Sequence, residues 1–362
     1  GPGDRTARRL TVALVLAALV VVGVAVWLST RPHAPPRLLV GVDDDTLKWT
    51  ANPLGVVAAQ RRLGADAVRV WVPWHGEARP GRTRLDELAR AEQAATRTSV
   101  VLAVFGFGAT APTAPAAQRR FCRYAAAALE RVPDARAVVV WNEANSPTYW
   151  RGDAHAYESL LAHCYDALHH VRPHVVVLDS TASAHDPVAF LDGVGAAYRA
   201  SGRTRPLVDA FGHNPYPLSS LEPVGARHGG GFVGEGDYAR LASALEHAFA
   251  GTPQRSLDVW YLEDGFQTAV PARLDRRYTG RETAATTTPA LQAERIAGAI
   301  RLAACQPRVR AFFNFELVDE SRLAGWQSGL EWRGARPKPA AAAFASAARA
   351  AAKGDVRCGG RP

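Results

Sequence analysis

Two carboxylates stand at the exits of short apolar runs that are far apart in the chain. Glu143 lies in Trp141-Asn142-Glu143-Ala144-Asn145, directly after Ala137-Val138-Val139-Val140, and Glu263 follows Val259-Trp260-Tyr261-Leu262. Such a pair can divide labour, one carboxyl protonating a leaving oxygen while the other attacks or stabilises the carbon left behind. That is the division that cleavage of a glycosidic bond requires. Other run ends extend the set: the first run ends in Asp43-Asp44-Asp45, the second carries Arg69 and leads into Trp71 and Trp74. The sixth ends in His213-Asn214-Pro215-Tyr216, and the eighth in Asn314 and Glu316. A lone glutamate after a strand is more often a solvated residue or a helix start. Two glutamates that coincide with Asn, Arg, His and Tyr at neighbouring exits form a constellation.

The elements that must position these groups are legible as an alternation. Apolar runs recur at 38–42, 67–72, 99–105, 137–141, 175–178, 207–211, 257–262 and 309–315, with helical patterns between them at 86–95, 117–132, 156–171, 187–200, 238–250 and 289–304. Near-continuous apolar strands alternating with helices indicate a parallel sheet covered by helices. Eight units favour an α/β fold closed as a (β/α)8 barrel, with a doubly wound sheet as the alternative, and the Ala-rich stretch 339–353 reads as the last outer helix. In a barrel the strand C-termini share one face, so the polar exits converge.

The ends of the chain predict its surroundings. Residues 10–28 carry no charge over about 19 positions, enough to cross a ~30 Å hydrocarbon layer as a helix, and Arg5, Arg8 and Arg9 precede them. This predicts a cytoplasmic N-terminus at 1–9, a transmembrane or signal anchor at 10–28, a Pro-rich linker at 29–37, a catalytic domain at 38–352 and a tail at 353–362, all outside the membrane after residue 28. A cleaved signal peptide, giving a secreted protein, is the alternative. The formal charge of +9 comes from 43 Lys+Arg against 34 Asp+Glu. Only Lys48, Lys338 and Lys353 are lysines, the arginines are dispersed, and no recognition module accompanies them, so no nucleic-acid partner is expected. Four cysteines in an oxidising compartment allow two disulfides, expected as Cys122 with Cys164 on neighbouring helices and Cys305 with Cys358, against free buried thiols.

Trp141-Asn142-Glu143-Ala144-Asn145 and Tyr261-Leu262-Glu263-Asp264-Gly265-Phe266 resemble the fourth- and seventh-strand motifs of retaining glycoside hydrolases of clan A, families 39 and 5 in particular. The resemblance covers about residues 38–350. It implies Glu143 as general acid/base, Glu263 as nucleophile, Asn142 on the sugar 2-hydroxyl, Arg69 steadying the nucleophile, and His213 and Tyr216 as the sixth-strand pair. Asp43, Trp74 and Trp326 are further candidate substrate contacts, and Trp71, Tyr149 and Trp150 are aromatic faces on which sugars could stack. Double displacement with retention would place the carboxyls ~5–5.5 Å apart, against ~6.5–9.5 Å for inversion. It also needs Glu143 protonated near neutral pH, through burial and the charge of Glu263. No metal or cofactor is implied.

The chain departs from the resemblance in three places. Ala144 replaces a proline, Asn214-Pro215 widens the His–Tyr spacing by one residue, and Phe313 and Phe315 stand where a sugar-stacking Trp is usual, a place Trp326 could fill. Gly106-Phe107-Gly108-Ala109-Thr110-Ala111 matches a loose dinucleotide fingerprint, but Pro112 and Pro115 argue against a helix opening there. His170 and His174 have metal-ligand spacing interrupted by Pro173, and there is no Gly-x-Ser-x-Gly elbow. The expectation is a membrane-anchored or secreted glycosidase acting on an extracellular or cell-surface polysaccharide. A silent glycan-binding barrel, a transglycosylase and a nucleotide-dependent oxidoreductase are the alternatives.

Overall fold

The computed structural model describes residues 37–180, 182–254 and 256–358. The expected segments 1–9 and 10–28, nearly all of the linker 29–37, and residues 359–362 of the tail lie outside them. Among the described residues no helix is long and apolar enough to cross a membrane.

Among the described residues, eight parallel strands form the barrel: β1 (Leu39–Asp43), β2 (Ala67–Pro73), β3 (Ser99–Phe105), β4 (Ala137–Val140), β5 (Val176–Asp179), β6 (Ala210–Asn214), β7 (Asp258–Asp264) and β8 (Val309–Asn314). Neighbours in sequence pair in turn. Leu178 of β5 pairs with Ala210 of β6, and Val42 of β1 with Asn314 of β8, so the barrel closes. A two-residue strand, Ala182–Ser183, adds to the upper end of β6. Because helices cover the outer face and side chains fill the interior, the strands are buried on both faces and need no polar alternation. Thus Val100 to Val104 and Ala137 to Val140 are all fully buried.

Among the described residues, eight outer helices follow the strands: α1 (Pro53–Arg62), α2 (Arg82–Ala95), α3 (Pro115–Arg131), α4 (Ala154–Val171), α5 (Pro187–Ser201), α6 (Tyr238–Ala248), α7 (Pro289–Cys305) and α8 (Pro339–Lys353). Local chemistry marks their starts. Five open on proline, whose fixed φ and missing N–H suit the first helical position. Asn52, Asp153 and Thr288 cap α1, α4 and α7 by accepting the N–H of Gly55, Ala156 and Leu291.

One strand is displaced from its expected place. The sixth apolar run, 207–211, gives a strand at Ala210–Asn214, because a side chain takes the backbone of its first residues. Gln254 Oε1 accepts the N–H of Leu207 and Val208, and Gln254 Nε2 donates back to the Val208 carbonyl. His213 and Asn214 are therefore strand residues. Gly212 is required in β6, since a Cβ there would collide with the Asp179 carbonyl oxygen of β5.

Both expected disulfides are present: Cys122–Cys164 ties α3 to α4, and Cys305–Cys358 ties α7 to the chain after α8. They close loops with sequence separations of 42 and 53 residues, so each should contribute roughly 2–4 kcal/mol by restricting the unfolded chain. Denaturant titration with and without reductant is expected to show a lower midpoint and an unfolding free energy lower by roughly 4–8 kcal/mol when both bonds are reduced. Coincident curves would remove the disulfides from the account of stability.

Candidate active site

The strand C-termini surround one cavity of about 1170 Å³. At its base, Arg69 of β2 is the hub. Its Nη1 donates to Asp43 Oδ1 and to Glu263 Oε1, each at 2.8 Å, and its Nη2 to Asn142 Oδ1 at 3.2 Å. Burial opposes a charge on Arg69, but Asp43 and Glu263 outweigh it and hold the guanidinium even more firmly protonated than usual. Tyr216 completes the grip on Glu263, its hydroxyl donating to Oε2 at 3.1 Å. Both Glu263 oxygens are thus fixed by donors from different strand exits. Burial, then the charge of Glu263, raises the Tyr216 hydroxyl well above its ordinary value, so it stays a donor.

Glu143 is held differently. Asn214 Nδ2 donates to its Oε1 at 3.0 Å, and its backbone N–H donates to Ser180 Oγ at 3.4 Å. Burial, and next the negative charge of Glu263, raise its pKa to about 7, against the opposing effects of Asn214 and Arg69. The β4 exit is also strained: Trp141 and Glu143 have φ of 71° and 40°. A bulky non-glycine residue at positive φ costs of order 1–3 kcal/mol and persists only where surrounding structure imposes it. The Trp141 indole supplies that constraint. It is fully buried, donates to the Tyr149 carbonyl at 2.8 Å, and is packed edge-to-face against Trp74, Phe121 and Trp150. Asn145 ties the same turn to the segment after β5, accepting from Ser183 N and donating to the His185 carbonyl. Ala144, in place of proline, is buried with its N–H on the Ser180 carbonyl.

Of the expected site residues, the cavity is lined by Glu143, Glu263, Asn142, Arg69, Tyr216, Trp326 and Asp43. His213 and Trp74 do not line it. His213 is buried beneath, its Nε2 against the Val233 carbonyl at 2.9 Å, because successive strand residues point to opposite faces and Asn214 takes the inward one. Trp74 is core packing with its indole N–H on the Glu77 carbonyl, and Trp150 is similarly turned away onto the Asp153 carbonyl. Trp71 and Tyr149 do line the cavity. So does Trp326, whose ring stacks on Tyr216 at 4.8 Å and 28° with Phe315 edge-on to both. The sequence reading missed Asn214 as the partner of Glu143, and Ser180 as a joint support of Asn142 and Glu143. The two-residue period from Tyr216 back to Asn214 was the available signal for the first. The glycine-rich stretch at 106–111 opens no long helix: it forms one 3-10 turn, Gly108–Thr110, and α3 begins only at Pro115.

Comparison with known proteins places the fold. No protein-family model and no curated protein sequence matches the chain. Among solved structures, it is similar to a family 39 glycoside hydrolase from Bacteroides cellulosilyticus, with a TM-score of 0.62 and 16% identity over 86% of this chain; the chain spans 64% of that protein's length. A glycoside hydrolase of family 5, subfamily 18, from Streptomyces cattleya matches with a TM-score of 0.60 and 18% identity over 88% of this chain and 81% of that one. Fungal β-1,4-galactanases match with a TM-score of 0.61 and 15% identity over 85% of this chain and 99% of theirs. At such identities the likeness is one of fold: the chain is a (β/α)8 barrel of the form that these glycoside hydrolases share.

Proposed function

We propose that the protein is a retaining glycoside hydrolase with Glu263 as nucleophile and Glu143 as acid/base. The observation that carries this reading is the unequal treatment of two carboxyls in one cavity. Glu263 is gripped by a guanidinium and a phenol, whereas burial and the Glu263 charge keep Glu143 protonated up to about pH 7. An acid kept protonated beside a carboxylate that two donors hold in place suits a division into proton donor and nucleophile.

In the first step a Glu263 oxygen attacks the anomeric carbon as the glycosidic C–O bond breaks, and the Glu143 proton passes to the departing oxygen. Glu143, now a carboxylate, takes a proton from water, whose oxygen attacks the same carbon and releases Glu263. Two inversions restore the configuration. Asn142, its oxygen committed to Arg69 and Ser180, offers amide N–H to a sugar hydroxyl. Trp326, backed by Tyr216, offers a ring face. The 10–28 apolar segment and the two disulfides support action outside the cytoplasmic membrane, on an extracellular or cell-surface glycan.

A panel of aryl glycosides and polysaccharides, β-1,4-linked mannan and galactan among them, tests the reading; no turnover on any member would reject it. The sign of the pH dependence follows from Glu143. The acid must be protonated, so kcat/KM is expected to fall as pH rises through about 7. For Glu143→Gln acting on an aryl glycoside whose leaving group needs no proton, that alkaline limb should disappear. Its persistence would point to another acid.

A further inference from the structure

Large apolar side chains left in water mark surfaces kept for a ligand when they gather in one place. Among the described residues, the large apolar side chains that stand exposed are Trp49, Leu54, Leu85, Phe107, Leu218 and Leu221. The two aromatic ones, Trp49 at 66% and Phe107 at 50% exposure, both line the cavity that holds Glu143 and Glu263.

Both rings stand on pinned backbone. Trp49 follows Lys48, whose ammonium is buried on Asp45 at 2.9 Å and on the Trp71 carbonyl, while the Lys48 carbonyl accepts from Arg90 at 2.9 Å. Asp45 in turn accepts the Trp71 N–H at 2.9 Å. Phe107 is flanked by bonds from Gly108 N to the Thr148 carbonyl and from Thr110 to its own carbonyl, and its ring stacks on Tyr149 at 5.7 Å and 18°. Trp71, also in the cavity lining, has its ring 6.1 Å from Phe107 and nearly perpendicular to it. Trp49 ends the one-turn helix Thr46–Trp49 after β1, Trp71 belongs to β2, and Phe107 follows β3 by two residues. With neighbouring strands ~4.8 Å apart, β1 and β3, which the two exposed rings follow, are about 10 Å apart across β2, more than the width of a single sugar ring. The cavity also exceeds the ~300–1,000 Å³ that encloses an ordinary small ligand.

We propose that this ledge is a distal binding surface, on which sugar units beyond those at the cleaved bond stack their C–H faces against Trp49 and Phe107. The substrate is then an oligosaccharide or polysaccharide chain laid along the cavity rather than a short glycoside. The inference rests on the glycosidase reading. A ring with one open face suits it, because it covers one sugar face while the sugar's hydroxyl edges stay in water.

The test compares wild type with Trp49→Ala, Phe107→Ala, the double variant, and Leu85→Ala as an exposed control outside the cavity lining. The substrates are oligosaccharides of two to six units from the polysaccharide that the panel shows to be cleaved, with the matching aryl monoglycoside alongside. Wild-type kcat/KM is expected to rise with chain length. Each truncation should lower the ratio of long-chain to monoglycoside kcat/KM by up to roughly tenfold, the size of one aromatic stacking contact, mainly through KM, while Leu85→Ala leaves the ratio unchanged. A wild type indifferent to length, or truncations that lower both substrates equally, would overturn the ledge while leaving the glycosidase reading standing. No cleavage of any glycan would reject that reading instead.

Discussion

Glu263→Gln is expected to abolish turnover of every glycoside that the wild type cleaves, without unfolding the barrel. Arg69 and Tyr216 contact Oε1 and Oε2 at 2.8 and 3.1 Å; in the glutamine variant the amide oxygen can take the Oε1 place and accept from Arg69, while the amide NH2 at the Oε2 place donates to the Tyr216 hydroxyl oxygen, so the surrounding geometry survives. What is lost is the anionic oxygen that bonds to the anomeric carbon, and nothing else in the cavity is placed by the same pair of donors. Glu143→Gln should be milder and depend on the leaving group. General acid–base assistance contributes typically ~10²–10⁴-fold, so poor leaving groups should lose about that factor and activated aryl groups far less in the glycosylation step. Full activity of Glu263→Gln, or of Glu143→Gln on a glycoside with a poor leaving group, with circular dichroism unchanged, would sink the assignment.

The second large effect concerns stability. Lys338 Nζ and Asp319 Oδ1 form an ion pair at 2.7 Å with both side chains fully buried. The ammonium spends its other two hydrogens on Thr268 Oγ1 at 2.9 Å and the Gln327 carbonyl at 2.8 Å, and it sits 4.3 Å from the Trp332 ring centre. Asp319 also accepts from Gly329 N and Tyr278 OH. Burial lowers Lys338 to about 8 and raises Asp319, the mark of charges taken out of water. Removing one partner leaves the other buried and uncompensated, at a cost of ~3–5 kcal/mol. Lys338→Met is therefore expected to lower unfolding stability by that amount in urea titration. It should also raise KM, because Lys338 holds the carbonyl of Gln327, next to Trp326. Joining it with Asp319→Leu should recover part of the stability, since the orphaned charge is gone. A loss below about 1 kcal/mol for Lys338→Met would mean that water reaches Asp319 or that it takes up a proton at little cost.

The barrel was legible because its evidence is local and repeated: each strand is a short apolar run and each helix an amphipathic one, and the strand exits carry the polar residues. Glu143, Glu263, Arg69 and Tyr216 were readable on that basis. His213 was misplaced because it is a residue of β6, where alternation gives the cavity side to Asn214 and turns His213 onto the Val233 carbonyl. The strand's start at Ala210, set by Gln254 capturing Leu207 and Val208, is the part that no local pattern encodes. Tryptophans were equally ambiguous: Trp74, Trp150 and Trp326 all stand near exits, but only packing decides which ring turns inward to Trp141 and which toward the cavity. The Lys338–Asp319 pair and the aromatic ledge likewise exist only after the loops after β1, β3, β7 and β8 have folded.

The most direct test of the central claim is covalent trapping. A 2-deoxy-2-fluoro glycosyl fluoride of the sugar that the panel identifies slows release of a glycosyl-enzyme more than its formation. The account predicts a single mass increment of one glycosyl unit, mapped after proteolysis to the peptide containing Glu263 and absent from Glu263→Gln. Inactivation with the adduct on another residue, or turnover that gives inverted product and no adduct, would contradict it.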